Sequence, residues 1–154
     1  MSRRKAIDPA AIDSIAQNIF QIMPLIRKRL LHMDVIQSEH GIPLSHVQVL
    51  NMLCEVGAMS VSEISHRLGI AKPNITPLVD RLMQAHLVDR VRDGTDRRVV
   101  NVVILDAGRE KLRAIHQTVG EQVQDWAQTV SAADFRELAD ALSALTRVLT
   151  QMQK

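Results

Sequence analysis

Hydrophobic residues recur at helical spacing along most of this chain. Between Ile12 and Leu30 an apolar residue returns every three or four positions, directly after Asp8-Pro9. This pattern predicts a helix capped by Asp8, with proline at its first position. Pro24 lies inside the pattern and predicts a kink or a short break. The helix should end before Gly41-Ile42-Pro43.

Three shorter helices are predicted next. The pairs Ser45–Gln48 and Ser60–Glu63 match the capping box, in which a serine and the side chain three residues later satisfy each other's backbone N–H groups. Gly57 and Gly69 predict the ends of these two helices. Pro73 predicts the start of the third helix. The predicted buried faces are Val47, Leu50, Leu53 and Cys54 in the first helix, and Ile75, Leu78, Val79 and Leu82 in the third.

From Leu87 the hydrophobic period changes to two, which predicts a β-strand. Asp93-Gly94 marks a turn, and the β-branched run from Val99 to Leu105 predicts the returning strand of a hairpin. Asp106 is expected to cap a long helix that runs to about Thr129. Ser131 with Asp134 predicts the cap of a last helix.

The last helix carries a narrow apolar seam with alternating spacings of three and four residues, typical of helix-to-helix packing. The seam is formed by Phe135, Leu138, Leu142, Leu145, Leu149 and Met152. Because the chain offers few internal partners for it, we expect dimerisation through the terminal helices. Packing within one chain is the alternative.

Charge is distributed unevenly over the 154 residues, although the net charge is only +2. Residues 67–113 hold ten Lys and Arg against six acids, whereas residues 37–66 hold three acids and neither Lys nor Arg. The basic excess therefore coincides with the predicted helix pair and hairpin, as a nucleic-acid surface requires. Scattered, solvated charge is the alternative interpretation.

Other features limit the class of protein. A single cysteine excludes an internal disulfide, and neither a signal peptide nor a membrane span is expected, which together predict a cytoplasmic protein. The sequence has no glycine-rich phosphate loop or nucleophile motif, so we expect neither an enzyme nor a bound cofactor. The six histidines are expected at the surface or at helix caps, with no metal site, and Cys54 is expected to be a buried structural residue.

Three sequence segments carry a family resemblance: VSEISHRLGI, NITPLVDRLMQAHLVDRVRD, and DRR at Asp96 to Arg98 followed by VVNVVILDAGRE. With them the chain resembles the MarR family of bacterial transcription regulators. The resemblance implies a mostly helical fold with a small β-hairpin wing, that is, a winged helix-turn-helix. Residues 1–38 and 106–154 would form the dimerisation frame, and residues 44–105 the DNA-binding lobe.

A recognition helix enters the major groove by its N-terminal end and its exposed face. Its predicted DNA-contacting positions are Lys72, Pro73, Asn74, Thr76, Pro77 and Arg81. Asn74 could pair with adenine, and Thr76 could contact a base edge or a thymine methyl. Arg81 is expected to meet a phosphate or an internal acid. Pro77 costs a backbone hydrogen bond if the helix begins at Pro73 and costs none if it begins nearer Asn74, and the sequence leaves that start open.

In the hairpin, Asp96 and Arg98 lie two residues apart on one side of the chain, so the acid could hold the arginine extended. The resemblance implies that Arg98 enters a narrow minor groove, with Arg97 and Arg90 on phosphates. The alternative is a solvated hairpin with a surface ion pair of less than about 1 kcal/mol.

These patterns predict a homodimer that binds a pseudo-palindromic operator in double-stranded DNA. The resemblance further implies a repressor released by a small-molecule effector. Two alternatives stay open: a dimeric winged-helix module that binds protein, and a regulator gated by metal or redox chemistry.

Overall fold

Long helices flank a lobe of shorter helices and a small sheet in the computed structural model, which describes residues 8–30 and 32–151. The elements are α1 (Pro9–Leu25, continued by a π-helical segment, Ile26–Leu30), α2 (Met33–His40), α3 (Leu44–Val56), β1 (Met59–Ser60), α4 (Val61–Leu68), α5 (Lys72–Gln84), β2 (Val88–Arg92), β3 (Val100–Ile104), α6 (Asp106–Ala127) and α7 (Ala132–Gln151). The predicted fold class, mostly helical with a hairpin wing, is confirmed.

The first helix begins as predicted and changes its character near Pro24. The Asp8 carboxylate accepts a hydrogen bond from the N–H of Ala10 at 3.0 Å. Pro24 lacks the N–H of a regular helical residue, and the wider π-helical turns start two residues beyond it. α2 is a separate helix that ends at Gly41, whose φ of 70° is the left-handed conformation of a C-cap.

One of the two predicted capping boxes is present. In the pair Ser60–Glu63, the N–H of Glu63 donates to Ser60 Oγ at 3.2 Å, and the N–H of Ser60 donates to Glu63 Oε2 at 2.7 Å. The Ser45–Gln48 box was wrong. Since α3 begins at Leu44 with Pro43 in the capping position, Ser45 lies inside the first turn, and its Oγ is 3.3 Å from Nδ1 of the next residue.

Of the two helix caps predicted after the hairpin, one is wrong and one is confirmed. Asp106 is not the cap of α6, because the N-cap residue is Leu105 and Asp106 occupies the first helical position. The N–H of Leu105 donates to the carbonyl of Leu87 at 3.0 Å, which keeps Leu105 attached to the sheet. Ser131 does cap α7, since its Oγ accepts the N–H of Asp134 at 3.1 Å.

The core lies in the lobe, between the short helices and one face of the sheet. The sheet has the order β1-β3-β2 and is antiparallel, with Met59 opposite Val102 and Val88 opposite Ile104. The fully buried side chains of this core include Val49, Leu50, Leu53, Ile64, Ile75, Val79 and Val102. The buried face of α5 is the one predicted. The two hairpin strands belong to the sheet, and the sheet packs against this face of α5.

The predicted buried face of α3 needs correction. Val49 is fully buried whereas Val47 is half-buried, and Cys54 is exposed rather than buried. Cys54 follows Leu53 by one residue, which is about 100° around a helix, so its thiol turns away from the core. There it lies 3.5 Å from Nη1 of Arg109 on α6.

α1 and α7 leave apolar side chains exposed, and no residue of either helix is buried. On α1, Phe20 is 82% exposed, and on α7, Leu145 is 47% exposed. The rings of Trp126 and Phe135 pack against each other at a centroid distance of 5.9 Å, tilted by 40°, and join α6 to the start of α7. Met152 of the predicted seam lies outside the described residues. Among the helices described, none is long and apolar enough to cross a membrane.

Candidate nucleic-acid interface

The start of α5 is open to an anion. Ala71 is its N-cap residue and has no side chain that could cap the helix. Pro73 has no N–H, and the N–H of Asn74 donates to the carbonyl of Ala71 at 2.8 Å, so the N–H of Lys72 and the positive end of the helix dipole are what the helix start offers to a ligand such as a phosphate. Of the predicted contact positions on α5, those exposed are Lys72, Pro73, Asn74, Pro77 and Arg81.

Two of the predicted contact residues on α5, Thr76 and Pro77, are constrained by the helix itself. Thr76 is half-buried, and its hydroxyl donates to the carbonyl of Lys72 at 3.3 Å. The methyl group and the lone pairs of the hydroxyl oxygen are therefore the parts of Thr76 that a ligand can contact. Because the helix begins at Lys72, Pro77 lies inside it and lacks the N–H that would reach the Pro73 carbonyl. The question that the sequence left open is thereby answered: the hydrogen bond is lost.

At the tip of the hairpin, the carboxylate of Asp96 accepts hydrogen bonds from Arg98. The Arg98 Nε donates to Asp96 Oδ1 at 3.2 Å and its Nη2 to Oδ2 at 3.4 Å, and the backbone N–H of Arg98 donates to Oδ1 at 3.0 Å. These bonds to the Arg98 side chain and then to its backbone N–H lower the pKa of Asp96. The Arg98 side chain is nevertheless 91% exposed, so its guanidinium projects from the hairpin while one edge is held.

Asp93 organises the same tip, although its place in the sequence predicted only a turn. Its Oδ1 accepts the backbone N–H groups of Thr95 at 2.8 Å and Asp96 at 3.1 Å, and its Oδ2 accepts Nδ2 of Asn101 at 3.2 Å. The backbone N–H of Asp96, followed by that of Thr95, lowers the pKa of Asp93. An aspartate that starts a turn commonly binds the amides two and three residues later, which is the signal that could have identified it.

The hairpin is joined to α5 by an ion pair. Arg90 Nη2 on β2 lies 2.8 Å from Asp80 Oδ1 on α5, with both side chains partly exposed. A pair of this exposure is worth no more than about 1 kcal/mol. It engages one nitrogen of Arg90 and leaves the other N–H donors of the guanidinium for a further partner. Arg97 is exposed in the turn beside Arg98.

The expectation that the histidines lie at the surface or at caps was wrong for His46. This side chain is only 7% exposed, on the inner face of α3. Burial first, and then the nearby positive charge of Arg81, lower its pKa, so the neutral form is favoured. His40 is half-buried, with Nε2 2.8 Å from Thr118 Oγ1. Within residues 8–30 and 32–151, no three His, Cys, Asp or Glu side chains come together as a metal site would need.

Comparison with known proteins assigns the family. The MarR family pattern matches residues 40–99, which include α3, α4, α5 and the hairpin up to its returning strand. Residues 40–99 therefore belong to the MarR family. This agrees with the expectation of a regulator rather than an enzyme.

Two curated relatives of this chain come from Bacillus subtilis (strain 168). The HTH-type transcriptional regulator YsmB is 34% identical over 76 residues, which are 49% of this chain and 52% of YsmB. The HTH-type transcriptional repressor MdtR is 31% identical over 77 residues, which are 50% of each chain. The matched segments thus span about half the length of these relatives.

Solved structures support the same fold over nearly the whole chain. A MarR family protein from Bacillus stearothermophilus superposes with a TM-score of 0.74 at 22% sequence identity, covering 94% of this chain and 99% of that protein. The similarity therefore includes the flanking helices α1, α6 and α7 as well as the lobe.

Proposed function

We propose that this MarR-family protein binds double-stranded DNA sequence-specifically as a homodimer and thereby regulates transcription. The observation that carries the proposal is Arg98, a highly exposed cation held by Asp96 at the tip of a hairpin that is braced to the helix with the open N-terminus. A duplex offers phosphates to the helix end and a negative minor groove to the arginine.

The recognition helix α5 reads the major groove in this proposal. Asn74 is exposed and has the amide donor and acceptor that pair with adenine. Thr76, whose hydroxyl proton is directed to the Lys72 carbonyl, presents its methyl group to a thymine methyl. Lys72 and Arg81 bind phosphates, and Pro73 and Pro77 add apolar contact. These roles would orient each lobe on one half-site.

The wing makes the second contact. Arg98 enters the minor groove, and Asp96 limits the directions that its guanidinium can take. Arg97 binds a neighbouring phosphate. Arg90 uses the donors not engaged by Asp80 for another phosphate at the base of the wing.

Dimerisation supplies the second lobe. The apolar faces of α1 and α7 are exposed in one chain, and a second copy would remove them from water. The proposed dimer residues on α7 are Phe135, Leu138, Leu142, Leu145 and Leu149. Residues 1–38 and 106–154 form the frame, and residues 44–105 the lobe. Two-fold symmetry then demands a pseudo-palindromic operator with half-sites about one helical turn apart.

We further propose repression that a small molecule relieves. The relative MdtR is named a repressor, which supports this output for the present chain. A cavity of about 540 Å³ lies between the lobe and the frame, lined among others by Met52 on α3, Arg67 on α4 and His116 on α6. A ligand there would touch both parts and could change their relative position.

The direct test is selection of duplexes from a random pool with the purified protein, beside a gel shift on the DNA that flanks its own gene. Enrichment of a two-fold symmetric sequence supports the proposal. A dimer that enriches no sequence and shifts no duplex would instead indicate the alternative of a winged-helix module that binds protein.

Arg98→Ala is expected to lower the affinity for the selected duplex by about ten-fold or more, because the minor-groove cation is lost. Dimerisation and thermal stability should stay nearly unchanged, since the side chain is exposed. Fluorescence anisotropy and a thermal melt measure both. Arg113→Ala, which removes an exposed arginine of α6, is the matched control and should have little effect. Equal affinities of Arg98→Ala and the wild type would remove the wing from the mechanism.

The affinity should also fall steeply with salt. If Lys72, Arg81, Arg90 and Arg97 of each copy neutralise phosphates, the logarithm of affinity should decrease with the logarithm of salt with a slope on the order of −4 to −7. Arg97→Ala should reduce that slope by about two, one phosphate per copy. A flat salt dependence would speak against DNA as the partner.

A further inference from the structure

Asp93 and Asn101 face each other at the loop end of the hairpin. Asp93 follows the last residue of β2, and Asn101 lies in β3, where its backbone is paired with Val91. The Asn101 Nδ2 donates to Asp93 Oδ2 at 3.2 Å. The N–H of Asp93 donates to the carbonyl of Val99 at 2.9 Å. The side-chain bond therefore closes the hairpin just where the regular strand pairing ends.

The other oxygen of Asp93 controls the path of the tip. It binds the backbone N–H groups of Thr95 and Asp96, which fixes the chain between Gly94 and Asp96. The carbonyl of Asp96 then accepts the N–H of Val99 at 2.9 Å, and its carboxylate holds Arg98. Asp93 thus reaches Arg98 through a continuous series of hydrogen bonds.

We propose that Asp93 and Asn101 are a positioning pair that sets the direction in which the wing presents Arg98; this inference rests on the proposed DNA-binding function. An acid near a DNA-contacting tip repels phosphates and weakens binding unless it has a structural task. Asp93 has one, since its carboxylate accepts three hydrogen bonds and the residue is half-buried. It contacts no DNA itself.

The pair can be tested by exchanging its two members. Asp93→Asn retains an oxygen for the two backbone amides, but as a neutral and weaker acceptor, and its NH₂ group faces the NH₂ group of Asn101 unless the Asn101 amide turns over. We expect duplex affinity to fall about five-fold, although the change removes a negative charge and electrostatics alone would raise the affinity. Asn101→Ala, which deletes only the amide donor and leaves the charge unchanged, should weaken binding in the same direction.

The exchanged variant, Asp93→Asn with Asn101→Asp, has the composition and net charge of the wild type. It restores a donor opposite an acceptor, so its affinity should return to within about two-fold of the wild type. Unchanged or tighter binding by Asp93→Asn, or no recovery in the exchanged variant, would overturn the inference.

A second measurement separates this inference from the proposed function. Amide hydrogen exchange at Asp96, Arg98 and Val99 in the free protein should accelerate in Asp93→Asn and slow again in the exchanged variant. This readout needs no DNA, so it judges the pair even if the wild type binds no duplex. Identical exchange at these amides in all variants would contradict a positioning role.

Discussion

Leu145→Asp is expected to separate the dimer into monomers and to lower duplex affinity by about 100-fold or more. Leu145 lies in the apolar seam of α7, and in a dimer an aspartate there would be an unpaired buried charge, which costs several kcal/mol. Each lobe would then bind its half-site alone and lose the advantage of a linked second lobe. Sedimentation velocity measures the first effect and fluorescence anisotropy the second.

Arg147→Asp is the control for the dimer experiment. Arg147 is two residues further along α7, about 200° around the helix, and therefore on the side opposite the seam. Its replacement by the same acid should leave the dimer intact. If Leu145→Asp stays dimeric, α7 is not the interface. If it becomes monomeric and still binds the full site with wild-type affinity, the two-lobe mechanism is wrong.

Gly108→Ala is expected to lower the free energy of unfolding by about 2–3 kcal/mol. Gly108 is buried in the first turns of α6, where a Cβ would meet the backbone carbonyl of Leu87 and lie 2.8 Å from Cγ1 of Ile104. The backbone carbonyl cannot turn aside as a flexible side chain could, because it also accepts the N–H of Leu105. The extra methyl would push the frame helix α6 away from the base of the wing.

Gly120→Ala is the matched change on the same helix. A Cβ at Gly120 meets nothing within 4 Å, so alanine there should stabilise the helix by about 0.5–1 kcal/mol. Urea denaturation at one fixed protein concentration gives both values, since dimer stability depends on concentration. Equal stabilities of the two variants would mean that α6 does not pack closely on Leu87.

The periodic parts of the fold could be predicted from the sequence. On α5, Ile75, Leu78, Val79 and Leu82 repeat at helical spacing, and all four are buried as expected. The Ser60–Glu63 capping box and the change to a two-residue period at Leu87 were also sufficient to locate a helix and a hairpin. These signals are local, so a single sequence contains them completely.

The errors concern positions that one residue or a distant contact decides. Leu44 begins α3 two positions before the expected start, and Asp106 begins α6 one position before it, shifts that local capping preferences cannot resolve. A margin of one residue also exposes Cys54 beside the buried Leu53. His46 is buried because other elements pack over the inner face of α3, and a single helix pattern does not report this.

In the candidate site, too, the local contacts could be predicted from the sequence and the distant contacts could not. The exposed set on α5 and the Asp96–Arg98 contact followed from spacing within a few residues. The Asp80–Arg90 ion pair and the Asp93–Asn101 bond join residues eight or more positions apart on different elements, so they required the folded chain.

The most direct test of the account is the stoichiometry of the wild-type protein on its selected duplex, measured by sedimentation equilibrium. Two copies bound cooperatively to one symmetric duplex, and only weak binding to a duplex with one half-site destroyed, is the predicted result. A single copy bound with full affinity, or equal affinity for the intact and the half-destroyed site, would contradict the claim that two lobes read one operator together.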